Sequence, residues 1–276
     1  MGKRMNMVLG YAALGMAIFC FLVKTRTVDR PNISWMKEYD YAHRGLYDNE
    51  EGIPENSLLA FGAAVEQGYG IELDVQMTRD GKLAVIHDYT LSRLCGNSCQ
   101  VEDMSLKELQ SYELFGTKER IPSLEEVLEF VDGRVPLIIE VKPIEGNIRQ
   151  ITKKTAEVLD KYKGLFCIQS FEPRILIWLK HNRPDWIRGQ LTEYYIRDGT
   201  EAIEHMEDFC MHHMLLNVVT RPDYLAYNTE DRDCLTLRLC RKFFDAVEVD
   251  WTIRDKEQYE LVKNDGAVVI FEGFQP

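Results

Sequence analysis

A chain of 276 residues, 45% apolar and 28% charged, has enough apolar side chain for a sizeable core and matches one large α/β barrel or two small domains. Aromatics at 11% and the lack of any low-complexity run exclude a disordered or fibrous chain. The net charge of −12 excludes a general field for nucleic acid or an anionic membrane surface, so an anionic substrate would need a metal or a few placed cations.

Residues 7–23 carry no charge, with Lys3 and Arg4 before them and Lys24, Arg26 and Arg30 after. As a helix this run is about 25 Å long at 1.5 Å per residue, just short of the hydrocarbon thickness. No small-x-small cleavage site follows it, so an uncleaved single-pass membrane anchor is expected over a signal peptide. The charge after the run and the unpaired cysteines lean the bulk of the chain toward the cytoplasm. Residues 1–30 are thus read as anchor and flanks and 31–40 as a tether, with Trp35 and Tyr39 at the interface. One folded domain is expected over 41–276.

From Tyr41 onward short apolar strands alternate with amphipathic helices. Strands are predicted at 41–45, 70–76, 83–87, 136–141, 166–171, 187–191, 224–226, 246–251 and 267–271. Helices are predicted at 57–67, 123–131, 148–162, 173–182 and 235–244, with one more near 200–211. This rhythm points to a parallel barrel or a doubly wound sheet. Nine strands are one too many for eight barrel positions.

Asp80-Gly81 between two alternating runs marks a hairpin, which makes 83–87 the supernumerary strand. A two-residue loop would pair Arg79 with Lys82 and set Asp74 opposite His87. Alternation puts Glu72 and Asp74 on one face, and directly opposed residues share a face. Glu72, Asp74 and His87 should therefore converge. Two carboxylates beside each other in an apolar strand call for a hard divalent ion, magnesium or calcium. In Leu137-Ile138-Ile139-Glu140-Val141-Lys142 the same grammar recurs, with Glu140 and Lys142 on one face at a strand end.

Ala42-His43-Arg44-Gly45 closes the first strand, and Pro54-Glu55-Asn56-Ser57 precedes an Ala-Phe helix. With Glu72-Leu73-Asp74-Val75, Asp80-Gly81, Val85-Ile86-His87-Asp88, Glu140-Val141-Lys142, Ser170-Phe171 and Trp251-Thr252, this resembles the glycerophosphodiester phosphodiesterase family. The likeness is dense as far as Phe171 and thin afterwards. It implies a TIM-type (β/α)8 barrel with an inserted hairpin and loop segment. It also implies metal-dependent hydrolysis of glycerophosphodiesters to sn-glycerol 3-phosphate and an alcohol. On the same resemblance Glu72, Asp74 and Glu140 would bind one divalent cation (Mg2+ or Ca2+), and His43 and His87 would be the general acid/base pair. Arg44 and Lys142 would hold the phosphate, Trp251 would line the glycerol side, and Asn56 would support the site from behind. The chain departs from the family at Ser57, where threonine is more usual, and at Ile270-Phe271-Glu272-Gly273-Phe274, where many members carry Thr-Asp and a proline. That second departure bears on the far side of the substrate. No residue decides whether water or the substrate's own hydroxyl attacks.

Other groups read as structural. His205, His212 and His213 with Cys210 match no standard zinc spacing. Cys95 and Cys99 bracket a turn that would allow a disulfide. Within the insertion from Thr90 to Pro122, residues 108–112 and Leu114-Phe115 would help shape the entrance as a lid. Two rival functions are a lysophospholipase D-like lipid phosphodiesterase, kept in view by the anchor, and a catalytically inactive binding module of the same fold.

Overall fold

Apolar strands too short to bury both faces in a flat sheet do so by closing into a cylinder with helices outside. In the computed structural model, which describes residues 2–193 and 209–276, the chain adopts this solution. The strands are β1 (Tyr41–Ala42), β2 (Gly70–Met77), β3 (Leu83–Val85), β4 (Leu137–Val141), β5 (Phe166–Ser170), β6 (Arg188–Thr192), β7 (Tyr224–Asn228), β8 (Val247–Ile253) and β9 (Val268–Phe271). Eight of them run parallel in the order β1-β2-β4-β5-β6-β7-β8-β9, and β9 returns to β1 with Tyr41 beside Ile270. β3 is the ninth, antiparallel on β2.

The hairpin register differs from expectation by one residue. Val75 pairs with Val85 and Met77 with Leu83, so Asp74 meets Ile86 and not His87. The cause is a three-residue loop: Thr78 bonds to Lys82 across the turn, and Gly81 takes the left-handed conformation (φ +71°). A one-residue slip turns every side chain over. His87 nevertheless stays near Asp74, because the ladder stops at Val85 and the chain bends. Gln76, buried, fixes that bend by donating to the carbonyls of Ile86, His87 and Asp88.

Large and small side chains interlock on the barrel axis. Tyr41 and Tyr224 fill the floor, and each ring lies against a glycine, where a Cβ on Gly70 would meet the Tyr41 ring at 2.5 Å and one on Gly189 would meet the Tyr224 ring at 2.1 Å. Gly189→Ala is expected to destabilise the protein by about 1–3 kcal/mol through overpacking, read as a lower denaturant midpoint at unchanged slope. Ile33 and Met36 plug the same floor, with Trp35 and Tyr39 packed beside them. The residues read as a tether therefore rest on the barrel.

Outside, Leu58–Gln67, Leu124–Val131, Ile148–Leu159, Pro173–Asn182 and Leu235–Phe244 are helical as expected. Ser57 caps the first by accepting from the Ala60 N–H, and Ser123 with Glu126 forms a reciprocal capping box on the second. The helix Lys256–Asn264 was not foreseen, since only Val262 of its nine residues is buried. The helix expected near 200–211, and His205 with it, lie largely outside the described residues. Residues 90–122 pack on β3 around a small core of their own, including Leu94, Leu106, Leu109 and Leu114, so the segment expected as a lid is largely anchored. All seven cysteines are free thiols, Cys95 and Cys99 included.

The N-terminal helix spans Gly2–Val23. Among the described residues no helix is long and apolar enough to cross a membrane, which overturns the expected single-pass anchor and, with it, the lean toward the cytoplasm. The end of this helix belongs to the protein's own core. Val23 is buried against Met214, Leu225, Tyr227 and Leu237, its carbonyl accepts from Asn217, and Arg221 donates to the carbonyls of Phe21 and Lys24. Arg26, expected as a membrane flank, faces the buried Asp223 at 3.6 Å.

Candidate active site

Alternation along β1, β2, β4, β8 and β9 sends every second side chain into the barrel, and at the C-terminal ends of the strands these become polar. Glu72 and Asp74 come from β2 and Glu140 from β4, where Asp74 and Glu140 are register partners. All three are buried (2%, 1% and 8% exposed), and one carboxylate oxygen from each lies within 4.8 Å of the others. The structure thus brings the expected trio together.

Such crowding raises carboxyl pKa values unless cations intervene. Burial, then Asp74 and Glu140, push Glu72 well above the ordinary range. Glu140 is pushed up to about 7 by burial, against the pull of Lys142. Burial acts on Asp74 as well, but Lys142 and Arg44 outweigh it and hold this carboxyl down at about 2. Lys142 Nζ stands 3.4 Å from Glu140 and 3.7 Å from Asp74, and Arg44 Nε stands 3.5 Å from Asp74. Two cations do not neutralise the trio, as the raised Glu72 shows. Clustered buried oxygen donors of this kind fit a hard divalent cation.

Two residues with positive φ support this centre. Arg44 (φ 56°) gives its N–H to Glu72 at 3.2 Å, and Asn56 (φ 54°) gives its amide to Asp74 at 2.9 Å. They hold each other through an Asn56 N–H to Arg44 carbonyl bond of 2.8 Å. Non-glycine residues keep such conformations only when their surroundings over-determine them, and they cluster at functional sites.

The two expected histidines flank the trio. His43 Nε2 is 4.0 Å from Glu72, and His43 Nδ1 meets Glu272 at 2.5 Å. His87 Nδ1 meets Asp88 at 2.8 Å. Burial lowers both imidazoles below their usual range, with Glu272 opposing the shift at His43 and Asp74 opposing it at His87. Both rings carry a carboxylate on Nδ1, which leaves Nε2 for chemistry. Trp251, at the top of β8, stacks edge-on with Phe171 (5.9 Å between centroids), and its buried Nε1–H has no partner among the described residues.

Sequence reasoning missed several members of the site. Glu272 accepts from Tyr47 and Arg254 while holding His43. Glu55 joins Arg44 to Arg93, and Arg93 continues to Asp88. Glu55 and Asp88 stand inside the quoted motifs, beside the residues that were chosen. Arg93, from the insertion, carries no local signal.

Residues 43–226 match the model of the glycerophosphoryl diester phosphodiesterase family. The chain belongs to that family. A glycerophosphodiester phosphodiesterase of Caldanaerobacter subterraneus is 34% identical over 194 residues, covering 67% of this chain and 79% of the relative. One from Bacillus subtilis is 27% identical over 254 residues, or 83% of each chain. A phosphodiesterase of Oleispira antarctica, solved with the product sn-glycerol-3-phosphate, superposes with a TM-score of 0.69 at 24% identity over 85% of this chain and 92% of its own. As a member of the glycerophosphoryl diester phosphodiesterase family, the protein is a phosphoric diester hydrolase on a TIM-type barrel.

Proposed function

We propose that the enzyme cleaves glycerophosphodiesters to sn-glycerol 3-phosphate and an alcohol, with His43 and His87 as the acid/base pair and Glu72, Asp74 and Glu140 holding one divalent cation, Mg2+ or Ca2+. The observation that carries this reading is the buried carboxylate trio between two imidazoles, each braced by a further carboxylate. When bound, the cation supplies Lewis-acid stabilisation of charge on the phosphoryl oxygens. The chain's own residues do the rest. One imidazole takes the proton of the attacking oxygen as its bond to phosphorus forms, and the other gives a proton to the departing alcohol oxygen as that bond breaks. Lys142 and Arg44 present cations to the phosphate. The unpartnered Trp251 N–H suits a hydroxyl of the glycerol moiety.

The test is hydrolysis of glycerophosphocholine and glycerophosphoethanolamine beside lysophosphatidylcholine. Release of sn-glycerol 3-phosphate that stops on chelation supports the reading. Release of choline phosphate, or turnover of the lysolipid alone, contradicts it.

Glu272 acts here as a positioning residue. Its carboxylate fixes the His43 ring and favours the imidazolium form. Glu272→Gln keeps a hydrogen bond but removes the charge, so the His43 pKa falls further. The acid limb of kcat/KM against pH is expected to move to lower pH, with a loss of about 10–100-fold at neutrality. An unmoved limb would assign Glu272 a purely structural role.

A further inference from the structure

Where the chain entering β7 meets the start of the helix Leu235–Phe244, a second set of ligating side chains comes together. His212, His213 and Cys234 each offer one donor atom, all within 4.8 Å of one another. We propose that they form a binding site for a thiophilic divalent cation of the zinc class. Along the sequence these histidines lie nearest Cys210, at a spacing that matches no zinc pattern. The fold supplies Cys234 instead, from a later element.

Three features carry the proposal. The donor set is two imidazoles and a thiol, which suits Zn2+ and disfavours Mg2+ and Ca2+. Around tetrahedral zinc such donors stand about 3.3–3.6 Å apart, given metal–nitrogen and metal–sulfur bonds of about 2.0–2.3 Å, so little closure is needed. Both rings are also braced as metal-binding histidines are. Nδ1 of His212 meets the Tyr227 hydroxyl at 2.7 Å and Nδ1 of His213 meets the Thr236 hydroxyl at 3.3 Å, so each ring is held in orientation by a hydroxyl. Finally, the supports are rigid. Tyr227 belongs to β7, and Cys234 is the N-cap residue of a ten-residue helix, whose N-terminal dipole favours a thiolate.

All three side chains are half-buried, so a cation can reach them. Three protein ligands leave a fourth position for water or another small donor. Thr192, at the end of β6, donates to the Met211 carbonyl, so a bound ion would fasten the β6–β7 connection to the helix start. The site uses none of the residues of the carboxylate centre and stands apart from the proposed reaction.

The full chain, stripped by chelator and supplied with Mg2+, is titrated with Co2+. We expect one equivalent that shows a thiolate-to-cobalt charge-transfer band with intense tetrahedral d–d bands, displaced by Zn2+. Cys234→Ser should remove the charge-transfer band, and His212→Ala or His213→Ala should weaken Co2+ binding at least tenfold. No such band in the wild type, or a band that survives Cys234→Ser, overturns the proposal. A second measurement needs no variant: Zn2+, but not Mg2+, should slow alkylation of Cys234 at least tenfold while the exposed Cys99 reacts unchanged. Equal alkylation rates with and without Zn2+ would show a hydrogen-bonded cluster and no metal site.

Discussion

Replacing His43 with alanine is expected to lower kcat for glycerophosphocholine by about 10²–10⁴-fold, the usual contribution of a placed acid or base. The expectation rests on where the ring is held. Its Nδ1 is committed to Glu272, its Nε2 lies beside Glu72, and burial lowers its pKa, which favours the neutral form that accepts a proton. His87→Ala should cost a similar factor, since Asp88 braces it in the same way. The double variant should fall little below either single one, because in the proposed reaction the two rings act in one proton exchange. Affinity for sn-glycerol 3-phosphate should stay within a few-fold of wild type, and free imidazole should restore part of the rate to His43→Ala. A loss below tenfold, or a loss wholly in KM, would remove His43 from the chemistry.

Glu72→Gln should have opposite effects on activity and on stability. Divalent-ion binding weakens, and kcat/KM falls by roughly 10³-fold or more, because Lewis-acid stabilisation of phosphoryl charge is worth several kcal/mol. The metal-free protein, however, should melt higher. Glu72 is raised by burial and by its two carboxylate neighbours, so its ionised form is disfavoured in the fold, and an amide of the same shape removes that repulsion. The pH dependence follows with a definite sign. Glu140 sits at about 7 against an ordinary 4.5, so between these values the folded state holds a proton that the unfolded state has lost. Glu140 therefore makes metal-free stability fall as pH rises from about 4.5 to 7, while the lowered His43 and His87 oppose that fall below 6.5, so the trend is read as the difference from a Glu140→Gln variant. Over the same window divalent affinity should rise, since binding must expel that proton. Calorimetric titrations at pH 5.5 and 7.5, with melting curves of the metal-free pair, check both. A Glu72→Gln protein that melts lower without metal would contradict this electrostatic account.

The sequence disclosed most of the barrel because strands and helices alternate in pattern and because Glu72-x-Asp74 and Glu140-x-Lys142 obey a period of two. The surplus strand was legible from Asp80-Gly81, but its register was not. Whether an Asp-Gly pair forms a two- or a three-residue loop depends on the bonds at Thr78 and Lys82, which act across the turn. The convergence of Asp74 and His87 was expected for an incorrect reason, since it rests on the bend held by Gln76. Glu272 was noticed only as a departure from the family, because its partner His43 lies at the opposite end of the chain. Arg93 and Cys234 reach their clusters from segments with no motif of their own. The N-terminal helix misled for a related reason: an apolar run does not show that its last turn packs against Leu225 and Leu237.

The most direct test of the central claim is the anomalous difference map of a crystal soaked in Mn2+ and sn-glycerol 3-phosphate. The account predicts one strong peak bound by Glu72, Asp74 and Glu140, with the phosphate on the same ion beside Lys142 and Arg44 and within reach of both imidazoles. A map with no peak among these carboxylates, or with the phosphate bound away from His43 and His87, would contradict it.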